Sequence, residues 1–416
     1  LDVTWVRQQF PALQRTVGGQ PAVFFDAPGG TQVPQRVIDA IANYLSTFNA
    51  NTGGAFVTSR ATDQMVADAR AAMADFFNCA SDEVVFGPNM TTLTFALSRA
   101  IGRELKSGDE LLVTCLDHDA NVSPWVCLEE RGVKVRTADV NPADCTLDMF
   151  DLSAKIRRNT RLVAVGWAAN AVGTINDVNA VVRLAHDAGA MAFIDAVHYA
   201  PHGPIDVRAL DCDFLACSSY KFFGPHAGIL YGKREHLQRL RPYKLRACTE
   251  QLPDRWETGT HNHEGLAGLT ATIDYIADAG RHHEPSAGTR REAILAAYEV
   301  FGQYERELME QLLSGLLAIP GLTLYGIKDP ARFDQRTPTV AIRVEGHSPR
   351  QLAIRLGERG IFTWDGNYYA INLAERLGAQ DSGGMLRIGL AHYNTTEEVE
   401  RLLEELRRLA RSAVDL

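Results

Sequence analysis

Asp213-Phe-Leu-Ala-Cys-Ser-Ser-Tyr-Lys221, running on into Phe222-Phe-Gly-Pro225, reads as a short apolar strand that stops at two serines and a lysine. A lysine at a strand end beside small hydroxyls can hold a carbonyl compound as a Schiff base, with the hydroxyls turned towards a phosphate. Upstream, Met191-Ala-Phe-Ile-Asp195 is a second apolar strand ending on a carboxylate, placed to pair with a protonated ring nitrogen. A carbonyl, a phosphate and a protonated pyridine together describe pyridoxal phosphate, with Lys221 and Asp195 as its anchors.

Outward from these two strands, short apolar runs alternate with helical periodicity. Strands are expected at 82–86, 110–115, 133–138, 161–167, 191–195, 213–218 and 228–231, and helices at 33–47, 62–77, 92–104 and 177–188. The alternation predicts an α/β fold with a mostly parallel, doubly wound sheet, whose ligands gather at the carboxyl ends of the strands. His118, Asn170, Asp195 and Lys221 all fall at or just past such ends. Near residue 280 the pattern changes, and 281–288 reads as a break. A long amphipathic helix over 290–317 follows, then strands at 321–325 and 338–343, a helix at 349–358, and a last helix from 396 with Thr395 and Glu398 spaced as a capping box. The expected organisation is an arm over 1–25 packing with the smaller unit, a large cofactor-binding domain over 26–284, and a smaller α+β domain over 285–416.

Composition narrows the partners. A formal net charge of −9 with interspersed signs argues against nucleic acid or an anionic membrane, and favours a small-molecule substrate. The seven cysteines include no Cys-x-x-Cys pair, so neither a disulfide framework nor a zinc site is expected, and a reducing cytoplasm fits. His261 and His263 lack further recognisable ligands, so no metal is expected there. No run reaches membrane-spanning length and the first residues carry no export signal, so the protein is read as cytoplasmic.

Phe25-Asp-Ala-Pro28, Met90-Thr-Thr92, Asp117-His-Asp-Ala-Asn-Val-Ser-Pro-Trp125, Asn170-Ala-Val-Gly-Thr174, Asp195-Ala-Val-His198, Ser218-Ser-Tyr-Lys221, Glu257-Thr-Gly-Thr260 and Leu386-Arg387 occur in an order that resembles the cysteine desulfurase branch of the class V aminotransferases. The resemblance covers nearly the whole chain and implies a fold type I pyridoxal phosphate enzyme. It gives Lys221 the covalent link and Asp195 the ring nitrogen. It stacks His118 on the ring as a proton-transfer group, and assigns Asn170 to the phenolic oxygen. Thr92 and Ser218 are implied at the phosphate, with Thr260 reaching it from a neighbouring subunit, so that the active sites lie at a homodimer interface; Thr91, which opens a helical segment beside Thr92, is expected at the phosphate from that position. Arg387 is implied to grip the substrate α-carboxylate, a task suited to a planar guanidinium. Residues 28–30, with Gly29 at their centre, are expected to line the substrate pocket. Asp117 and Asp119 flank His118 and are expected to raise its pKa.

Three departures from that branch bear on the reaction. His198 stands where cysteine desulfurases usually carry glutamine, as in related kynureninase and epimerase branches, and Tyr220 stands where the nearest group has histidine. Both positions are implied to touch the cofactor. Where a desulfurase presents a loop cysteine, this chain reads Thr363-Trp-Asp-Gly-Asn-Tyr-Tyr-Ala370, with Tyr369 in the cysteine's place and no cysteine after Cys248. A transferable persulfide needs a thiolate. The expected activity is therefore β-elimination from a small, cysteine-like amino acid without a protein persulfide. Transamination or epimerisation is the alternative, and a noncatalytic binding protein on the same scaffold is a further one.

Overall fold

The computed structural model describes residues 1–414. Strands β1 (Val84–Gly87), β2 (Glu110–Thr114), β3 (Lys134–Ala138), β4 (Thr160–Gly166), β5 (Met191–Asp195), β6 (Phe214–Ser218) and β7 (Gly228–Gly232) form one sheet in the order β1-β7-β6-β5-β4-β2-β3. Only β7 runs antiparallel to its neighbours. The central strands are buried almost without interruption, as expected when helices cover both faces of a parallel sheet. The seven strands expected between residues 82 and 231 are all present, with ends displaced by no more than a few residues.

The flanking helices are α1 (Gln35–Thr47), α2 (Val57–Phe77), α3 (Met90–Gly102), α4 (Val178–Asp187) and α5 (His263–His283). Helix α3 starts two residues ahead of its expected start because Asn89 caps it, its side-chain oxygen accepting from Thr92 N at 2.8 Å. Helix α5 had no counterpart in the periodicity. It is buried on most of its circumference, so it shows no single apolar stripe.

Helix α6 (Arg290–Leu317) begins at a capping box between Thr289 and Glu292. Its first half packs Ala293, Ile294, Ala297, Tyr298 and Phe301 into the core around the large sheet. Its second half packs Leu308, Met309, Leu312, Leu313 and Leu316 into a separate core. That second core lies under an antiparallel sheet of β8 (Leu322–Tyr325), β9 (Thr339–Val344), β10 (Trp364–Gly366) and β11 (Met385–Gly389), ordered β8-β9-β11-β10. Helices α7 (Pro349–Glu358) and α8 (Thr396–Val414) complete it, and the expected capping box at the start of α8 forms between Thr395 and Glu398.

The first 25 residues divide between the two cores: Val6, Phe10 and Leu13 enter the large one, and Val23 and Phe25 the small one. A second join is the turn after β4. Gly173 sits at φ +82, where an added Cβ would lie 2.4 Å from Thr339 O, and its carbonyl accepts from Thr337 N at 2.8 Å. Only glycine fits so close an approach, and the turn that carries Asn170 is thereby fastened to the small sheet. Among the described residues no helix is long and apolar enough to cross a membrane.

Close packing of α5 on α6 depends on Gly280, whose added Cβ would lie 1.8 Å from Ala293 O. Gly280→Ala is expected to cost about 3 kcal/mol, seen as a lower urea midpoint. Gly302→Ala, on α6 with nothing within 4 Å of the added methyl, is expected to gain about 0.5–1 kcal/mol. Equal midpoints for the two variants would show that the helices tolerate a wider separation.

Candidate active site

The carboxyl ends of β1, β2, β4, β5 and β6 converge on a cavity of ≈ 850 Å³, closed on the far side by the loop after β10 and by Arg387 of β11. Each strand end delivers a group for a local reason. Beyond β6 the backbone enters a single tight turn, Ser219–Lys221, which points the lysine back over the sheet edge. Its ammonium donates to the carbonyls of Pro28 and, at 3.1 Å, of Gly29. Burial lowers the Lys221 pKa to about 7, helped by the nearby Arg387 charge and opposed by Asp195.

Asp195 ends β5, where its carboxylate accepts from Val197 N at 2.9 Å and burial raises its pKa to about 6. Asp117 lies deeper. It accepts from Thr114 N, Thr114 Oγ1 and, at 2.5 Å, Gly166 N, so it ties β2 to β4 beneath the cavity. Burial and then the Asp195 charge push Asp117 up to about 7.

The expectation for His118 is corrected by the structure: its pKa falls to about 4. Burial dominates, Lys221 and Arg387 add to it, and Asp119 opposes them only weakly because its side chain is turned to Ser123 Oγ at 2.8 Å. Asp117 faces the strands, as described. The ring is thus neutral near pH 7, and its Nδ1 accepts from Ala120 N at 3.0 Å, which leaves the proton on Nε2.

At the other end of the cavity, Ser218 Oγ accepts from Met90 N at 2.9 Å and so joins the end of β6 to the first turn of α3. Thr91 and Thr92 both line the cavity and are exposed in that turn. The Thr92 hydroxyl also donates to Asn89 Oδ1 at 3.0 Å. A helix N-terminus rimmed by hydroxyls is suited to a phosphate. Thr260 is the one candidate outside the cavity: it is exposed, three residues after Glu257, which is anchored inward by Arg70 at 2.5 Å and His261 at 2.8 Å.

Arg387 is buried, donates to Asn170 O at 2.9 Å, and lies 4.3 Å over the Tyr368 ring. Its Nε has no hydrogen-bond partner, and neither does Asn170 Oδ1; the Asn170 amide nitrogen donates to Tyr368 O at 2.8 Å. Asp26, whose Oδ1 is also buried and unpartnered, is raised to about 6 by burial against the pull of Arg387. His198 is buried beside the cavity with Nε2 3.2 Å from Thr337 Oγ1. Tyr220 stacks on His226 at 4.8 Å. Gly29 lies against Trp364, where an added Cβ would meet the indole nitrogen at 2.3 Å.

Sequence reasoning passed over Asn89, Asp26, Trp364 and Tyr368. Asn89 stands three residues before Thr92, an N-cap spacing visible in the sequence. Trp364 and Tyr368 reach the cavity, and Asp26 comes under the field of Arg387, through contacts between the two cores, which no local pattern announces.

A buried cation and buried polar atoms without partners, set around a lysine held near neutrality, fit a cofactor and substrate that are anionic and rich in hydrogen-bonding groups. Comparison with known proteins agrees. The Aminotransferase class-V family profile matches residues 23–402. The chain is 34% identical to a cysteine desulfurase of Pectobacterium atrosepticum over 98% of this chain and 97% of that one. It is 33% identical to one of Synechococcus elongatus over 100% of this chain and 65% of that one. Among solved structures, the cysteine desulfurase of Thermococcus onnurineus superposes with a TM-score of 0.88 at 26% identity, over 98% of each chain. An Escherichia coli cysteine desulfurase superposes with a TM-score of 0.84 at 26% identity, over 100% of this chain and 99% of that one. With this cavity at the strand ends, the chain belongs to the class V aminotransferase family of pyridoxal phosphate enzymes, in its cysteine desulfurase-like branch.

Proposed function

We propose that this protein is a β-eliminating C–S lyase acting on a small cysteine-like amino acid, with the sulfur released to solvent and never carried on the protein. The observation that carries this reading is that none of the seven cysteines lines the cavity, while the groups for Cα chemistry all do. Burial pushes the Cys115 and Cys145 thiols up to about 11, and raises those of Cys79, Cys212 and Cys217 as well. A buried thiol held protonated is a poor nucleophile. At the loop position where a thiol would be required, Tyr369 is present.

Pyridoxal phosphate, when bound, supplies an electron sink for the pair released at Cα. The chain's own residues do the rest. Lys221, close to neutrality, provides the amine that holds the cofactor and then removes the Cα proton. Asp195 would pair with the ring nitrogen; burial raises its carboxyl to about 6, opposed by the bond from Val197 N and by the Lys221 charge. Ser218, Thr91, Thr92 and the start of α3 receive the phosphate. His118 donates from Nε2 while its Nδ1 is held by Ala120 N. His198, Tyr220 and Asn170 line the same cavity and would border the ring, and Gly29, which has no side chain, lets Trp364 close in on the substrate side. Arg387 binds the α-carboxylate through the guanidinium edge that Asn170 O and the Tyr368 face leave open.

The same reading makes the enzyme a homodimer, with Thr260 of each copy completing the phosphate site of the other. Its support is the exposure of Thr260 beside a firmly anchored Glu257.

Four outcomes check this reading. Borohydride reduction of the holoenzyme and peptide mapping should place the pyridoxyl group on Lys221. In the apoprotein, acylation of that lysine should accelerate as the pH rises through about 7, because the lowered pKa leaves the amine unprotonated above it. A midpoint near 10 would contradict the cavity electrostatics. Asp195→Asn should retain the fold and lose at least about 100-fold in turnover, about 2.8 kcal/mol of barrier. Near-normal turnover would remove Asp195 from the ring. Incubated with L-cysteine without reductant, the enzyme should release sulfide, pyruvate and ammonia with no added sulfur on any cysteine by mass spectrometry. A stoichiometric persulfide would make it a true desulfurase, and keto-acid exchange without pyruvate would make it an aminotransferase.

A further inference from the structure

We infer that Tyr369 is the acid that protonates the departing sulfur, an inference that rests on the β-elimination reading above. Tyr368 and Tyr369 are consecutive residues in the left-handed region, at φ +57 and +60. Bulky side chains rarely adopt that conformation, and a run of two is held only where the surroundings over-determine it. Here Asn170 Nδ2 donates to Tyr368 O at 2.8 Å, and Asp119 N donates to Tyr369 O at 2.7 Å. Asn367 Oδ1 accepts from Tyr369 N at 3.0 Å, and the Tyr368 hydroxyl donates to Met385 O.

The two rings end in different surroundings. Tyr368 is buried under Arg387 and explains half of the strain by packing. Tyr369 gains no such burial: it is 68% exposed at the cavity mouth, and its hydroxyl makes no hydrogen bond among the described residues. Its ring centroid is 5.4 Å from that of His118, and the Asp119 N–H that fixes it belongs to the residue after that histidine. Loop and histidine are therefore clamped as one unit with a free phenol at the cavity mouth. A phenolic O–H is a donor that can give up its proton. His118, already neutral and with Nδ1 occupied, has no ionisable proton to spare.

The step balances without a further reactant. Lys221 accepts the Cα proton, and the electron pair of that C–H bond becomes the Cα–Cβ π bond. The Cβ–S bond breaks with its pair on sulfur, and the Tyr369 proton passes to that sulfur so that a neutral thiol leaves. The phenolate recovers its proton from solvent, and water then converts the enamine product to pyruvate and ammonia.

The holoenzyme is tested with two substrates that differ only in what leaves. S-methyl-L-cysteine releases a basic thiolate that needs a proton, whereas β-chloro-L-alanine releases chloride, which does not. Tyr369→Phe is expected to lower kcat for pyruvate formation about 100-fold with the first, and to leave the second within a factor of about 2. Tyr369→Asn, which tolerates the left-handed backbone, carries the same contrast should the phenylalanine variant fail to fold. Equal losses with both substrates, or none with either, overturn the assignment of Tyr369 and leave β-elimination standing. No pyruvate from β-chloro-L-alanine with the unaltered enzyme overturns both.

Discussion

Arg387 is a buried cation that no carboxylate touches. No ion pair reaches it among the described residues; its guanidinium rests on one carbonyl, one aromatic face and the longer-range pull of Asp26. Burial is strong enough to lower even its pKa to about 10. Such a charge is tolerated because it lies where two cores meet and where an anionic ligand can complete its coordination. The rest of the site is arranged in its field: Lys221 and His118 are both lowered partly by it, and Asp26 is held down by it.

That dependence explains why the small sheet belongs to the catalytic architecture. Arg387 comes from β11 and Lys221 from the end of β6, and the turn at Gly173 helps bring them to one cavity by fastening one sheet to the other. Helix α6 makes the same connection through hydrophobic packing, with one half in each core. A change in the relative position of the two sheets would move Arg387 and the loop 363–370 together, since Asn170 bonds both. Arg387 and the loop are in this way coupled through a single asparagine, by its backbone carbonyl and its side-chain amide.

Electrostatics also separates the two buried carboxylates by depth. Asp117, fully engaged by backbone and hydroxyl donors, ties strands together, whereas Asp195 keeps an oxygen edge towards the cavity. Both lie at strand ends, so position alone would not have distinguished the carboxylate whose oxygens are taken up by the strands from the one open to the cavity. Their hydrogen-bond partners do.

The seven strands of the large sheet and the strand-end placement of Lys221, Asp195, His118 and Asn170 were legible in the sequence, because apolar runs and the residues that stop them are local signals. The capping boxes at Thr289 and Thr395 are equally local, although only the second was recognised beforehand. Helix α5 was not legible, since a helix buried on most sides carries no polar face to mark its period. The charge state of His118 was misjudged for a related reason: its sequence neighbours Asp117 and Asp119 point elsewhere, while Lys221 and Arg387, remote in the chain, face it. Sequence by itself determined the residue types and the order of the elements, hence the family and its cofactor. Only the tertiary structure decided which charges are desolvated together, which tyrosine turns inward and which stays free, because burial and field depend on distances that span the chain.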